Sequence, residues 1–240
     1  MANRETVLVT GASQGIGAAI AQAFLDRAYN VVATARSMTE AGFAPSPHFA
    51  LVDGDIGQEA TAEKVAQTAI AKFGSIDHLV NSAGIFSVKP FTDYTANDIQ
   101  RFVSTNLGGF IFITQLAVRQ ILLQGTGGSV TTITAALADH PNAGTPASIP
   151  MITKGGLNAA TLSLASEYAK DKIRFNAVAP GVVDTTLHKG AAKESLRTLA
   201  PMGTISQPKD IADAVVYLTE AGHITGEVLH VDDGAHVGRW

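Results

Sequence analysis

The sequence predicts an α/β fold: a three-layer, doubly wound sheet of about seven parallel strands with helices on both faces. Three observations carry this expectation. Short β-branched runs alternate with longer Ala-rich stretches from end to end, the texture of repeated strand–helix–strand units. The chain has 240 residues, 46% of them hydrophobic and 16% charged, which is enough apolar matter for a large core. Glycines cluster at the first strand-to-helix junction, at Gly11, Gly15 and Gly17, where a chain must turn sharply.

The elements follow in order. Residues 6–10 read as the first strand and 17–27 as the first helix; 30–35 and 49–52 are the next two strands. In the helix over 59–73, Val65, Ala69 and Phe73 are four apart and share one face. Strand 78–81 precedes a long helical pattern over 97–124. Then come strand 129–134, helix 151–169, strand 173–178, helix 209–219 and a last strand, 228–231. No linker or internal repeat interrupts this, so 1–240 reads as one domain. The alternation has one gap, at 37–48, where Gly42, Pro45 and Pro47 favour a loop or a short helical turn. Two further stretches, 135–150 and 185–201, are irregular, and long irregular loops in a compact domain are usually functional.

Composition excludes several chemistries. There is no cysteine, so disulfides, zinc–thiolate sites and cysteine nucleophiles are ruled out. A net charge of −4 gives no basic footprint for nucleic acid. The polar start, Met1 to Glu5, and the short apolar run after it do not read as a secretory signal. The most apolar window, 107–123, contains Gln115, Arg119 and Gln120, so it reads as a buried amphipathic helix and not a membrane span. The expectation is a cytoplasmic protein. None of the seven histidines has the H-x-x-x-H or H-E-x-x-H spacing, and His230 and His236 beside Asp232 and Asp233 are wrongly spaced for a metal. No metal is expected.

The segment Thr10-Gly-Ala-Ser-Gln-Gly-Ile-Gly17 joins the first strand to the first helix. Its glycines allow a tight turn and close backbone approach to a pyrophosphate, and the helix N-terminus offers unpaired N–H groups to the phosphates. The spacing is G-x-x-x-G-x-G. After the second strand comes Thr34-Ala-Arg-Ser37, with no acid before Glu40 to bind a ribose 2′-hydroxyl. Arg36 lies 19 residues past Gly17, where its guanidinium can pair with a 2′-phosphate. NADP(H) is therefore favoured over NAD(H), the bland alternative being that Arg36 only stacks on adenine or solvates a loop.

These residues resemble the short-chain dehydrogenase/reductase family, and the match runs in order along nearly the whole chain. Thr10–Gly17 resembles that family's T-G-x-x-x-G-I-G. Asp55-Ile56 resembles its adenine-contacting pair. Asp77 to Gly84 resembles D-x-L-V-N-N-A-G with Ser82 in place of one Asn, and Asn106 to Gly109 resembles N-V-x-G. Ile173 to Gly181 matches I-R-x-N-x-V-x-P-G, with Thr185 following; Ile224 to Glu227 and Val231 to Gly234 resemble the closing I-T-G-Q and V-D-G-G. The resemblance implies a Rossmann-type sheet that binds a nicotinamide dinucleotide. It implies that Ser13, Gln14, Gly15 and Ile16 line the pyrophosphate, with Gly11 and Gly17 completing the cofactor-binding turn and Asp55 and Ile56 at the adenine. Asn81, Ala83 and Gly84 would pass under the adenosine side, and Pro180, Gly181, Val183 and Thr185 would hold the nicotinamide. It also implies a small-molecule substrate, a substrate lid around 185–201 that is apolar on one face, and a homodimer or homotetramer formed through the 97–124 and 151–169 helices.

The family's chemistry is hydride transfer, assisted by a Tyr as proton donor, a Lys that tunes it and holds the ribose, a Ser that orients the substrate oxygen, and an Asn. Lys154 and Asn106 are present. The Tyr position is Pro150, and no Tyr lies between Tyr94 and Tyr168. The Ser position is Ala135. Thr134, His140, Thr145 and Ser148 are the remaining donors nearby; Thr134 is the candidate for orienting a substrate oxygen, and His140 is the best acid at neutral pH, unless it is only a surface loop histidine. Two readings follow. One is an NADP(H)-dependent oxidoreductase acting on a carbonyl, alcohol or activated double bond with atypical proton handling, using Asn106, Lys154 and Thr134. The other is a catalytically silent NADP(H)-binding sensor or partner subunit.

Overall fold

The computed structural model of the chain describes residues 4–38, 42–188 and 192–237. Residues 39–41 and 189–191, which fall in the expected loop and lid, lie outside the described residues, as do 1–3 and 238–240. Seven strands form one parallel sheet: β1 (Thr6–Thr10), β2 (Asn30–Ala35), β3 (Phe49–Asp53), β4 (His78–Asn81), β5 (Gly128–Ile133), β6 (Ile173–Pro180) and β7 (Val228–Val231). Their order across the sheet is β3-β2-β1-β4-β5-β6-β7, and every neighbouring pair is parallel.

The helices are α1 (Gly15–Asp26), α2 (Glu59–Phe73), α3 (Ala96–Phe102), α4 (Gly109–Gln124), α5 (Ser148–Glu167), α6 (Lys193–Arg197) and α7 (Pro208–Glu220). They cover both faces, which is why the central strands read as unbroken apolar runs. Val7 and Val9 of β1 turn to one face with Ile20 and Phe24 of α1 and Ile211 and Val215 of α7. Leu8, between them, turns to the other face with Val65 of α2 and Ile113 and Ile121 of α4. Each such large side chain, taken fully out of water, contributes about 1.5–3 kcal/mol to this sandwich.

Several boundaries differ from the sequence expectation. Helix α1 begins at Gly15 rather than 17, because the chain already turns at Gln14. Helix α5 begins at Ser148 and ends at Glu167, a 3₁₀ turn taking over at Ala169–Asp171. Pro150 sits in its first turn, where no backbone N–H is needed. The helix expected over 97–124 is interrupted: Val103–Gly108 forms a π-helical turn between α3 and α4. By length and composition Ala96–Gln124 could cross a membrane. In the fold, however, Ile113, Ala117 and Ile121 are at most 1% exposed against the sheet, so α4 is a core helix. Among the described residues of 37–48 no helix forms, and the irregular 185–201 stretch carries a 3₁₀ turn, Thr186–His188, and the short α6.

Candidate functional site

The chain enters the sheet at β1, winds outward through β2 and β3, and returns to β4 on the other side of β1. Helix α1 packs on one face and α4 on the other, so the C-terminal ends of β1 and β4 flank a crevice at a topological switch point, the usual ligand site of such sheets. A cleft of roughly 1280 Å³ opens there. Gly11, Ser13, Gln14, Gly15, Ile16 and Gly17 line it, with Arg36, Asp55, Ile56, Ala83, Gly84 and Thr185.

The floor is built by close backbone approach. Gly11 has φ +70°, and a Cβ there would lie 2.7 Å from the Ala83 Cα; a Cβ on Gly17 would lie 2.2 Å from the Gly11 carbonyl oxygen. Thr10 Oγ1 accepts hydrogen bonds from the backbone N–H of Ser82 (3.1 Å) and Ala83 (3.0 Å), locking the β1 turn to the end of β4. At the N-terminus of α1 no side chain caps the helix and the first turn carries no acid. Its N–H groups and the positive end of its dipole therefore face the cleft, a seat for a diphosphate.

At the adenosine end, Asp55 Oδ1 accepts from Gly57 N at 2.9 Å, which shapes the turn presenting Ile56. Asp53 Oδ1 accepts from Met38 N at 2.7 Å, anchoring the chain just past Arg36 while the Arg36 side chain is exposed at the rim. Gln100, Arg101, Ser104 and Thr105 also line the cleft. The sequence reading did not single out these four; they come from helix α3 and the π turn, whose placement depends on the fold.

The other end is bounded by Ile85, Ile133 and the Thr185–Leu187 segment. Behind it lies a buried polar knot. Asn106 Oδ1 accepts from Ile85 N at 2.8 Å, and its Nδ2 donates to Ile85 O at 3.1 Å and to Thr153 Oγ1 at 2.9 Å. The π turn rotates Asn106 inward to do this, and only 2% of it is exposed. Lys154 Nζ donates to Ile133 O at 2.6 Å, and burial alone lowers its pKa to about 8. It lies against Gly84: a Cβ there would be 3.2 Å from Nζ.

Other expected residues sit elsewhere. Thr134 does not line the cleft; it is 4% exposed and its hydroxyl donates to Val178 O at 3.3 Å, because the residue after β5 still follows the β6 ladder. The side chain of Asn81 turns to α4 and donates to Thr114 Oγ1 at 3.0 Å. Pro180 ends β6, Gly181 packs against Asp232, and Val183 is buried and bridged to Ser206; these back the cleft without lining it. His140 is exposed, its ring 5.6 Å from both His230 and His236, which stack at 4.2 Å. Desolvation, then the His236 charge, lowers the pKa of His230. Among the described residues no group of three or more histidines and carboxylates has metal-holding geometry.

Comparison with known proteins agrees with this architecture. Residues 11–236 match the family profile described as enoyl-(acyl carrier protein) reductase. Carbonyl reductase family member 4 of Xenopus tropicalis is 35% identical over 229 residues, spanning 94% of this chain and 95% of its own. Among solved structures, ElxO with NADP bound superposes with a TM-score of 0.90 at 26% identity, covering 98% of this chain and 100% of its own. The 3-ketoacyl-(acyl-carrier-protein) reductase of Brucella melitensis in complex with NADH gives 0.89 at 27%, covering 97% and 98%. A parallel seven-stranded sheet, a glycine-lined crevice at its switch point and relatives that match from end to end together place the chain in the short-chain dehydrogenase/reductase family.

Proposed function

We propose that the chain is an oxidoreductase that binds a nicotinamide dinucleotide in the β1/β4 crevice, NADP(H) in preference to NAD(H), and acts on a small carbonyl, alcohol or activated double bond with atypical proton handling. The observation that carries this is the uncapped N-terminus of α1, aimed across a glycine floor into a cleft of roughly 1280 Å³. The relatives solved with NADP and with NADH support the cofactor class. Arg36, at the rim beyond β2, supports the phosphorylated form through a charge-assisted pair.

The donor set fits such a group. Ser13 to Ile16 would receive the diphosphate, Asp55 and Ile56 the adenine, and Thr185 the nicotinamide side. When bound, the dinucleotide supplies or accepts a hydride. Lys154 would hold the adjacent ribose hydroxyls through an ammonium whose other contact is Ile133 O. Asn106 fixes the Ile85 backbone and the second turn of α5, at Thr153, so both sides of the reaction end stay in register. The 185–201 segment would act as a lid, and the exposed apolar residues Ile111, Leu122, Ile152 and Leu162 of α4 and α5 would meet a second copy of the chain.

A second reading, a catalytically silent NADP(H) sensor or partner subunit, is favoured by Pro150 and Ala135, which put carbon where the family has hydroxyls. Titration of the purified protein with NADPH and NADH, by fluorescence and thermal shift, tests the common element. Binding of NADPH tighter than NADH is expected, and binding of neither would overturn both readings. A carbonyl, alcohol and alkene screen with bound NADPH then separates enzyme from sensor.

A further inference from the structure

A carbonyl that accepts a hydride becomes an alkoxide, and the site must give it a proton. The titratable residues that line the cleft are Arg36, Asp55 and Arg101. None suits the task. Arginine does not discharge in a protein, and Asp55 accepts from Gly57 N in the turn at the adenosine end. At the reaction end Thr185 and Thr186 line the cleft. Their hydroxyls can orient a substrate oxygen, but an aliphatic hydroxyl gives up no proton at neutral pH without a base beside it. The tyrosines are placed elsewhere. Tyr94 bonds Ser87, Tyr29 packs on Phe24 and His78, Tyr168 on Phe175, and Tyr217 is exposed on α7.

Lys154 stands just behind the reaction end. Its Nζ donates to Ile133 O and lies beside Gly84, and both Ile133 and Gly84 line the cleft. Gly84 has no side chain to close the way, since a Cβ there would be only 3.2 Å from Nζ. An ammonium carries three N–H groups; the structure engages one of them, with Ile133 O, and two remain. The polar side chains beside it are already paired. Asn106 Oδ1 accepts from Ile85 N, and Thr153 Oγ1 donates to Pro150 O and accepts from Asn106 Nδ2. Pro150, one turn earlier on the same face of α5, brings no hydroxyl of its own.

Resting on the reading of the crevice as a nicotinamide site, we propose that Lys154 itself is the proton donor to the oxygen of a ketone or aldehyde, the catalytic acid in place of a hydroxyl. The carbonyl carbon gains a hydride with its electron pair, and the C=O π pair passes to oxygen. There a new O–H bond forms as one N–H bond of Lys154 breaks. The reduced nicotinamide dinucleotide is oxidised by two electrons, the carbonyl is reduced by two, and the neutral amine recovers its proton from water. One N–H on Ile133 O, one on the ribose and one on the substrate oxygen use all three. Burial supports the role, because it lowers the Lys154 pKa to about 8, near the working range of a general acid. The titratable groups on the elements around it are His78 of β4, Arg101 of α3, Asp139 beside Asn158, and Glu167 of α5; none of them contributes to that shift.

The test uses the full chain loaded with NADPH and a panel of 2,3-butanedione, ethyl acetoacetate and 1-tetralone. NADPH loading is followed separately by thermal shift. Lys154 is followed in the ligand-free chain by NMR of lysine carrying 13C at Cε, its signal assigned by its loss in Lys154→Arg. That signal is expected to titrate with a midpoint near 8. At saturating NADPH, kcat/KM for the ketone is expected to fall about tenfold per pH unit above a matching break. Lys154→Arg keeps the charge and a donor for Ile133 O but cannot discharge, so it separates holding from donating. It is expected to load NADPH, to lose kcat/KM by roughly 100-fold or more, and to lose the pH break. Lys154→Ala, which needs no added room, is expected to regain turnover with ethylammonium and not with tetramethylammonium, which has no N–H. Wild-type turnover in Lys154→Arg, a pH-independent kcat/KM, or an NADPH-loaded wild type that reduces none of the panel overturns the proposal and leaves the dinucleotide reading intact. If Lys154→Arg does not fold, Lys154→Ala that ethylammonium cannot rescue overturns it in the same way. Failure to load NADPH overturns that reading, and this proposal with it.

Discussion

Lys154 Nζ and the carbonyl oxygen of Ile133 stand 2.6 Å apart, and this bond fastens a buried ammonium of α5 to the end of β5. The ammonium has no counter-charge among the causes of its shift, so its burial is an uncompensated cost. The lowered pKa fixes the sign. Between about 8 and the ordinary 10.5 the unfolded chain holds this proton and the folded one releases it, so stability rises with pH in that window. Below about 8 the full penalty is present. Lys154→Met should therefore stabilise the ligand-free protein at pH 7, by about 1–3 kcal/mol, with the gain shrinking towards pH 10. Urea denaturation at the two pH values measures this; a destabilised variant at pH 7 would show that the Ile133 bond outweighs the desolvation.

Arg36 lies at the rim of the cleft with its side chain exposed. Arg36→Ala should weaken NADPH binding roughly 10- to 100-fold, the worth of a charge-assisted pair, and change NADH binding less than about threefold. Equal losses for the two dinucleotides would place the 2′-phosphate elsewhere.

Gly17→Ala should damage the fold and the site together. The new methyl would sit 2.2 Å from the Gly11 carbonyl oxygen, which is backbone and cannot rotate away. A loss of about 1–3 kcal/mol is expected, with dinucleotide binding abolished. Thermal unfolding of the variant with and without NADPH checks both parts, and a normal melting temperature would contradict the close packing of the β1 turn.

The His140, His230 and His236 cluster should make the end of β7 sensitive to acid. Desolvation and the neighbouring imidazoles hold the His230 pKa below its ordinary 6.5, against the pull of Asp232 and Asp139. As pH falls through 6.5 the unfolded chain takes up this proton first, so stability falls. Amide exchange over residues 228–237 should quicken between pH 7.5 and 5.5, and His230→Phe should blunt the change. An acid response that is identical in the variant would assign it to other groups.

Much of this was legible in the chain. Apolar runs mark β1, β2 and β4 to the residue, because strands buried on both faces leave a simple signature, while α2 follows from its four-residue apolar spacing and β7, half-buried at the edge, from its short β-branched run. The crevice was legible too, since Gly11, Gly15 and Gly17 stand at one junction and Arg36 at the next. Side-chain direction was not. Thr134 reads as a donor beside the reaction end, yet it continues the β5 ladder and turns to Val178 O. The π turn left no mark because Val103–Gly108 has neither proline nor a break in its apolar spacing. The histidine cluster joins residue 140 to residues 230 and 236, a proximity created only when β7 docks beside β6.

The π turn between α3 and α4 behaves as a one-residue insertion carried inside a helix. Excising one residue from Val103–Gly108 would let the two helices run on as one regular rod, with better hydrogen bonding along its axis. The same excision would swing Asn106 by about a third of a turn, away from Ile85 and Thr153, and slide Gly109 off its close contact with Ile56. A smoother helix and a working crevice are thus mutually exclusive in this chain, and the irregular turn is what couples the wall of the cleft to its floor.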